Sequence, residues 1–172
     1  VIYHRVALIG LGLIASSMAH AMRAGGLAGE IVGHARTAAT RDAARAIGFC
    51  DRVCDTAAAA VAGADLVVLA VPVGAMGAVA AEIGPHLAPG ATVTDVGSVK
   101  QAVIEAVAPH LPPGVHFVAG HPLAGTEHSG PHSGFAALFR NRWWLLTPLP
   151  GTDPAAVDRL RALCLGMGAR VD

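Results

Sequence analysis

Two kinds of residue in this chain have types and spacing suited to chemistry. The first is a glycine turn. Gly10, Gly12 and Ala15 stand at the spacing G-x-G-x-x-A, directly after the apolar run Val6-Ala7-Leu8-Ile9. The run is too short for a buried helix and suits a buried parallel strand. Behind the turn Ile14, Met18, Ala21 and Met22 recur at helical spacing. Strand, glycine turn and helix together predict a cradle for a dinucleotide pyrophosphate, with Gly10 permitting the tight turn, Gly12 admitting the phosphates and Ala15 keeping helix and sheet close. Leu13 and Ile14 lie at the helix N-terminus, where free N–H groups meet an anion. The second kind is a set of polar side chains at later strand ends. Hydride transfer that also removes a proton needs a base, and His is the usual one. His121, in Gly120-His121-Pro122, is the best placed histidine, and the segment Asp95-Val96-Gly97-Ser98-Val99-Lys100 ends the preceding strand and places Ser98 at a helix start.

The second strand should state which dinucleotide binds. An acidic residue about 20 residues past the glycines holds the ribose 2′-hydroxyl of NAD. Here the strand ends in Gly33-His34-Ala35-Arg36, and no carboxylate follows until Asp42. His34 and Arg36 therefore border the ribose, with Thr37, Thr40 and Arg41 nearby. An arginine fork with hydroxyl donors suits a 2′-phosphate, so the expected cofactor is NADP, with NAD as the alternative. The competing reading makes Arg36 and Arg41 a solvated helix edge capped by Thr37 or Thr40. Val71 and Pro72 end a third strand and present backbone towards the nicotinamide side.

These residues need elements to hold them, and the chain alternates strand and helix. The expected strands are Val6 to Ile9, Glu30 to His34, Val53–Cys54, Asp65 to Val71, Ala91 to Val96, Val115 to Ala119, Trp143 to Leu146 and Ala169 to Val171. Between them fall helices at Ala38 to Ile47, Asp55 to Ala62, Gly74 to Ile83, from a Ser98 cap to Val107, and Pro154 to Leu165. Gly120 to Gly134 reads as a long functional loop. The pattern implies a Rossmann-type, doubly wound α/β fold with a mainly parallel sheet and right-handed crossovers, all of residues 1–172 forming one nucleotide-binding domain.

Composition narrows the function. The 172 residues are 53% hydrophobic and 14% charged, with zero formal net charge, which describes a folded chain with an apolar core. Basic residues are scattered, so no nucleic-acid or membrane-surface partner is expected. Lys100 is the single lysine among arginines. Cys50, Cys54 and Cys164 fit no metal or redox spacing and read as free thiols of a cytoplasmic protein. A metal site at His121, His128 and His132 lacks a fixed face and a fourth ligand type, so no metal is expected. His4, His20, His86, His110 and His116 read as surface or packing residues. No signal peptide and no membrane-length apolar segment is visible, and Val1 suggests an N-terminus trimmed from a longer chain.

Read together, GLGLIASSMA (Gly10 to Ala19), LAVPV (Leu69 to Val73), TDVGSVK (Thr94 to Lys100), GHPLAGTEHSG (Gly120 to Gly130) and LLTP (Leu145 to Pro148) resemble the prephenate and arogenate dehydrogenases of tyrosine biosynthesis. The resemblance runs through nearly the whole chain in order. It implies oxidative decarboxylation of prephenate to 4-hydroxyphenylpyruvate, or of arogenate to tyrosine, within aromatic amino acid biosynthesis. It makes His121 the base, Ser98 its orienting partner, and Thr126 and Glu127 part of the substrate side. It also implies a helical domain beyond Asp172 that forms a homodimer and adds a substrate arginine. Ala15 replaces a frequent glycine, and Ala35-Arg36 replaces the acidic residue of NAD-using members. A β-hydroxyacid dehydrogenase-like NADP oxidoreductase and a non-catalytic NADP-binding module are the alternatives; the former does not carry HPLAGTEHSG.

Overall fold

In the computed structural model, which describes residues 1–172, eight strands form one sheet. They are β1 (Tyr3–Ile9), β2 (Ala28–His34), β3 (Arg52–Val53), β4 (Leu66–Leu69), β5 (Thr92–Asp95), β6 (His116–Pro122), β7 (Trp143–Pro148) and β8 (Arg170–Val171). The helices are α1 (Leu13–Gly25), α2 (Ala38–Ile47), α3 (Ala57–Val61), α4 (Val73–Ile83), α5 (Lys100–Val107) and α6 (Pro154–Gly166). The spatial order is β3-β2-β1-β4-β5-β6-β7-β8. All neighbours are parallel except β6 and β7, so the expected doubly wound, mainly parallel Rossmann-type sheet is what forms. The chain moves outward from β1 in one direction through β2 and β3, then restarts beside β1 with β4. That reversal opens a crevice at the carboxyl ends of β1 and β4, the place where ligands of such sheets bind.

Alternation along the central strands divides the core. Val6 and Leu8 of β1, with Leu66 and Val68 of β4, pack on the face covered by Met18 and Met22 of α1 and Leu160 and Leu163 of α6. Ala7, Ile9, Val67 and Leu69 face the other side, against Met76 and Ile83 of α4 and Val103 of α5. Leu66 and Leu69 are fully buried, and each contributes about 1.5–3 kcal/mol by leaving water. At the opposite end of the sheet Asp65 accepts the N–H groups of His4 and Arg5, both at 2.9 Å, and pairs with Arg159 at 2.8 Å. Burial opposes charging of Asp65, yet the two amides and the guanidinium hold its carboxyl below the usual range.

Boundaries moved where tertiary partners supply hydrogen bonds. β1 and β2 begin earlier than their apolar runs because they pair with each other from Tyr3 and Ala28. β4 stops at Leu69, short of the expected Val71, as the chain turns into α4. α3 is shorter than Asp55 to Ala62 because the Thr56 hydroxyl accepts the Ala59 N–H and starts the helix there. Ser98 does not cap α5; Val99 occupies the cap position without a side-chain bond. The expected loop after Ala119 loses Gly120-His121-Pro122 to β6, because β7 pairs antiparallel with these residues. A short 3-10 turn also forms at Pro131–Ser133.

Gly10 is where the fold is least forgiving. Its φ is +96°, and an added Cβ would lie 2.5 Å from the Ala70 carbonyl oxygen. Gly10→Ala is expected to destabilise the chain by about 2–4 kcal/mol, lowering Tm by roughly 5–15 °C in a thermal melt; an unchanged Tm would show that the turn tolerates a side chain.

Candidate functional site

The glycine turn delivers what an anion needs. Gly12 caps α1 with no side-chain hydrogen bond, and the first turn of this 13-residue helix carries no acidic residue. The leading N–H groups and the positive end of the helix dipole therefore face the crevice uncovered. A Cβ on Gly12 would meet nothing within 4 Å, so the approach is open. Ala15 is fully buried. Leu13 and Ile14 are half-buried at the same helix start.

Two adjoining cavities extend from this turn. One, of about 330 Å3, lies between the end of β2 and α4. Its walls include Ile9, Val71, Ala75 and Val79, and its polar groups are His34, Arg36 and Glu82. The other, of about 270 Å3, runs over Gly10 and Gly12 to Thr37 and Thr40, with Gly130 and Pro131 as its far wall. Both share Gly10, Ala35, Arg36, Val71 and Pro72. A slot beside the end of β2 followed by a trough over the uncapped start of α1 suits a base and then a pyrophosphate, whose charge meets the free N–H groups of the helix. A further cavity, of about 390 Å3, sits at the far end of β6 beside His116 and Phe117, remote from this crevice.

The end of β2 is organised by residues with separate tasks. Arg36 is exposed and enters no ion pair, so its guanidinium is available. Arg41 donates instead to the carbonyls of Ala35 at 2.8 Å and Arg36 at 3.0 Å, which fixes the segment that carries Arg36. The Thr37 hydroxyl caps α2, accepting the Thr40 N–H at 3.3 Å and donating to Thr40 Oγ1 at 2.9 Å. Thr40 keeps its own hydroxyl proton for an external acceptor. His34 Nδ1 donates to the Cys54 carbonyl at 2.9 Å, which leaves Nε2 as the free nitrogen of the neutral ring. Burial pushes the nearby Cys50 thiol up to about 12, so it stays protonated and packs as an apolar residue. None of the three cysteines is paired.

Ser98 and His121 occupy the next two strand ends. Ser98 is exposed in the turn after β5, and His121 is half-buried in β6 opposite Leu145 of β7. Beneath both lies a residue with no role assigned from sequence. Asp95 is fully buried, accepts the Gly97 N–H at 2.8 Å and the Gly120 N–H at 3.0 Å, and pairs with Lys100. Lys100 also donates to the Gly120 carbonyl. The signal for this node was legible as an acidic residue closing an apolar strand, since buried carboxylates are rarely unpartnered. Thr126 and Glu127 are exposed in the following loop, where Thr126 Oγ1 accepts the His128 N–H at 3.1 Å. Neither of the two adjoining cavities includes Ser98, His121, Thr126 or Glu127. No group of three or more His, Cys, Asp and Glu side chains converges on a point that would hold a metal ion.

The loop after His121 returns to the nucleotide side. The Ser17 hydroxyl accepts the Phe135 N–H at 3.1 Å, and Gly134 lies flat against α1. A Cβ at Gly134 would stand 2.7 Å from Ser16 Cβ and 2.9 Å from its backbone carbon. This contact was not visible in the sequence, because it joins segments more than a hundred residues apart.

Fold and crevice together define a Rossmann-type nucleotide-binding domain. The family described as "Prephenate dehydrogenase, nucleotide-binding domain" matches residues 18–172, and the chain belongs to that family. It is 40% identical over 171 residues to the cyclohexadienyl dehydrogenase of Zymomonas mobilis, covering 99% of this chain and 58% of that protein. The crystal structure of Synechocystis arogenate dehydrogenase superimposes with a TM-score of 0.89 at 30% identity, over 98% of this chain and 58% of the other. Prephenate dehydrogenase from A. aeolicus, in complex with hydroxyphenyl propionate and NAD+, gives a TM-score of 0.89 at 28% identity, over 98% of this chain and 59% of the other. The chain thus spans a little over half the length of these relatives. No helix is long and apolar enough to cross a membrane.

Because Gly130 and Pro131 wall the trough over α1, Gly134→Ala should lift that wall from the helix. Nucleotide affinity, read by calorimetric titration with NADPH, is expected to fall about 10-fold, or ~1.4 kcal/mol. A change below about 2-fold would show that the loop's seat on α1 does not shape the trough.

Proposed function

We propose that this chain is the NADP-binding and catalytic half of a prephenate or arogenate dehydrogenase. The observation that carries the reading is the placement of Ser98 and His121 at the carboxyl ends of adjacent strands, next to a crevice built for a dinucleotide. Family membership supports it. The bound nicotinamide supplies the hydride acceptor. His121 accepts a hydrogen bond from the 4-hydroxyl of the substrate ring and takes its proton as hydride leaves C4. Ser98 orients the imidazole and the hydroxyl. Carbon dioxide departs from the opposite ring position, and the ring becomes aromatic, which drives the step forward. Thr126 and Glu127, on the exposed loop after His121, border the substrate. Residues 1–172 act as the nucleotide-binding domain, and a helical domain beyond them completes the substrate site and the homodimer. The unpaired state of Cys50, Cys54 and Cys164 supports a reducing, cytoplasmic setting.

Removal of the base should dominate the kinetics. In the complete polypeptide His121→Asn is expected to lower kcat by about 10²- to 10⁴-fold while NADP affinity changes little, as for other general bases. Near-normal kcat across pH would reassign the base. Absence of turnover with both prephenate and arogenate in the unaltered protein would overturn the reading itself.

The cofactor proposal rests on the free Arg36 guanidinium and the Thr40 hydroxyl. Hydrogen bonds to charged groups are worth about 1.5–3 kcal/mol each, so NADP should exceed NAD in kcat/KM by at least about 10-fold. Arg36→Ala should remove most of that preference by weakening NADP alone. Both cofactors are compared at one ionic strength, because salt screens the phosphate contact; equal or NAD-favouring values in the unaltered protein would overturn the assignment.

A further inference from the structure

Asp95 and Lys100 hold the two segments that carry Ser98 and His121, and they do so with one ion pair. Asp95 Oδ2 accepts the N–H of Gly97, the residue before Ser98, at 2.8 Å. Asp95 Oδ1 accepts the N–H of Gly120, the residue before His121, at 3.0 Å. Lys100 Nζ donates to Asp95 Oδ2 and to the carbonyl of the same Gly120. Gly120 is therefore gripped at both of its polar backbone groups, the N–H by the carboxylate and the carbonyl by the ammonium. The Asp95 side chain has no exposure and that of Lys100 about a fifth, 19%.

Stability alone is a poor reason for such a pair. Desolvation offsets the attraction between buried charges, and well-packed apolar side chains often serve as well or better. A buried pair does fix geometry, since both carboxylate oxygens and the ammonium are committed to named partners. The residue type points the same way. Lys100 is the only lysine, all the other permanently charged basic side chains being arginine. A compact ammonium can reach a carboxylate and a carbonyl at one point, whereas a planar guanidinium needs a wider fork.

We infer that Asp95 and Lys100 are positioning residues that set the separation between Ser98 and His121, and so govern proton removal from the substrate rather than nucleotide affinity. This rests on the dehydrogenase reading above. A misplacement of about 1 Å at a reacting group costs on the order of 10²-fold in rate, which makes the pair kinetically visible.

The test compares Lys100→Met with the neutral pair Asp95→Asn/Lys100→Met, which avoids an unpaired buried carboxylate. In the complete polypeptide each is expected to lower kcat about 10- to 100-fold, with the NADPH Kd within about 2-fold of its starting value. In a His121→Asn background the same changes should alter kcat by less than about 3-fold, because residues acting through one group lose their effect with it. An equal loss in both backgrounds, or no loss in the first, overturns the inference. If Lys100→Met does not fold, the neutral pair carries the comparison. NMR gives a readout independent of turnover: the His121 ring and Ser98 amide signals should move in the variant, and those of His4, at the other end of the sheet, should not. Unmoved His121 and Ser98 signals overturn the inference whatever the activity. Moved signals in a protein that oxidises neither substrate uphold the positioning and overturn the dehydrogenase reading.

Discussion

A single carboxylate, Asp95, joins the ends of β5 and β6 from beneath the surface of the crevice. An uncompensated charge at a position with no solvent exposure would cost several kcal/mol. The fold meets that cost with two backbone N–H groups and an ammonium, and in doing so ties Gly97 and Gly120 to one point, each followed directly by a candidate site residue. Ser98 and His121 are those residues. The sheet's topology brings the strand ends together, and the carboxylate adds a direct hydrogen bond to each of the two segments.

The nucleotide side is arranged on a different principle. There the backbone itself is the binding group, and the chain's contribution is to leave it bare. Gly12 caps α1 without a side chain, and Gly10 adopts a left-handed conformation pressed against the Ala70 carbonyl. The second strand's end is prepared by Arg41, which spends its hydrogen bonds on the carbonyls of Ala35 and Arg36 and leaves Arg36 unpaired. Side chains that appear alike in sequence are thus divided into one that builds and one that remains available.

Much of this was legible in the residue order. The apolar run at Val6 to Ile9, the glycine spacing and the alternation of strands with helices led directly to the mainly parallel core with a glycine turn after its first strand, whereas the strand order that seats β4 beside β1 emerged only in the sheet itself. These features are local, and local features survive in a one-dimensional reading. Non-local ones did not. The hydroxyl of Ser98 suggested a helix cap, yet the helix starts at Lys100 with Val99 in the cap position. Gly120 to Pro122 suggested loop, yet β7 supplies their hydrogen-bond partners from across the sheet. Thr37, by contrast, behaves as the local rule for helix starts predicts. Asp95 stood in plain view within TDVGSVK, but its partners became apparent only once Gly120 was beside it.

The seat of Gly134 and Phe135 on α1 has a thermodynamic consequence. The segment that follows His121 also forms the wall of the trough through Gly130 and Pro131. A ligand in that trough therefore contacts the helix N-terminus and the loop at once. Linkage between two such contacts is reciprocal. Any preference a nucleotide has for the seated loop is returned as an equal stabilisation of that seat, and whatever seats the loop from the other side tightens nucleotide binding by the same factor. Filling the trough and seating the loop are thus one coupled event, and the coupling needs only a glycine thin enough to let a loop lie on a helix.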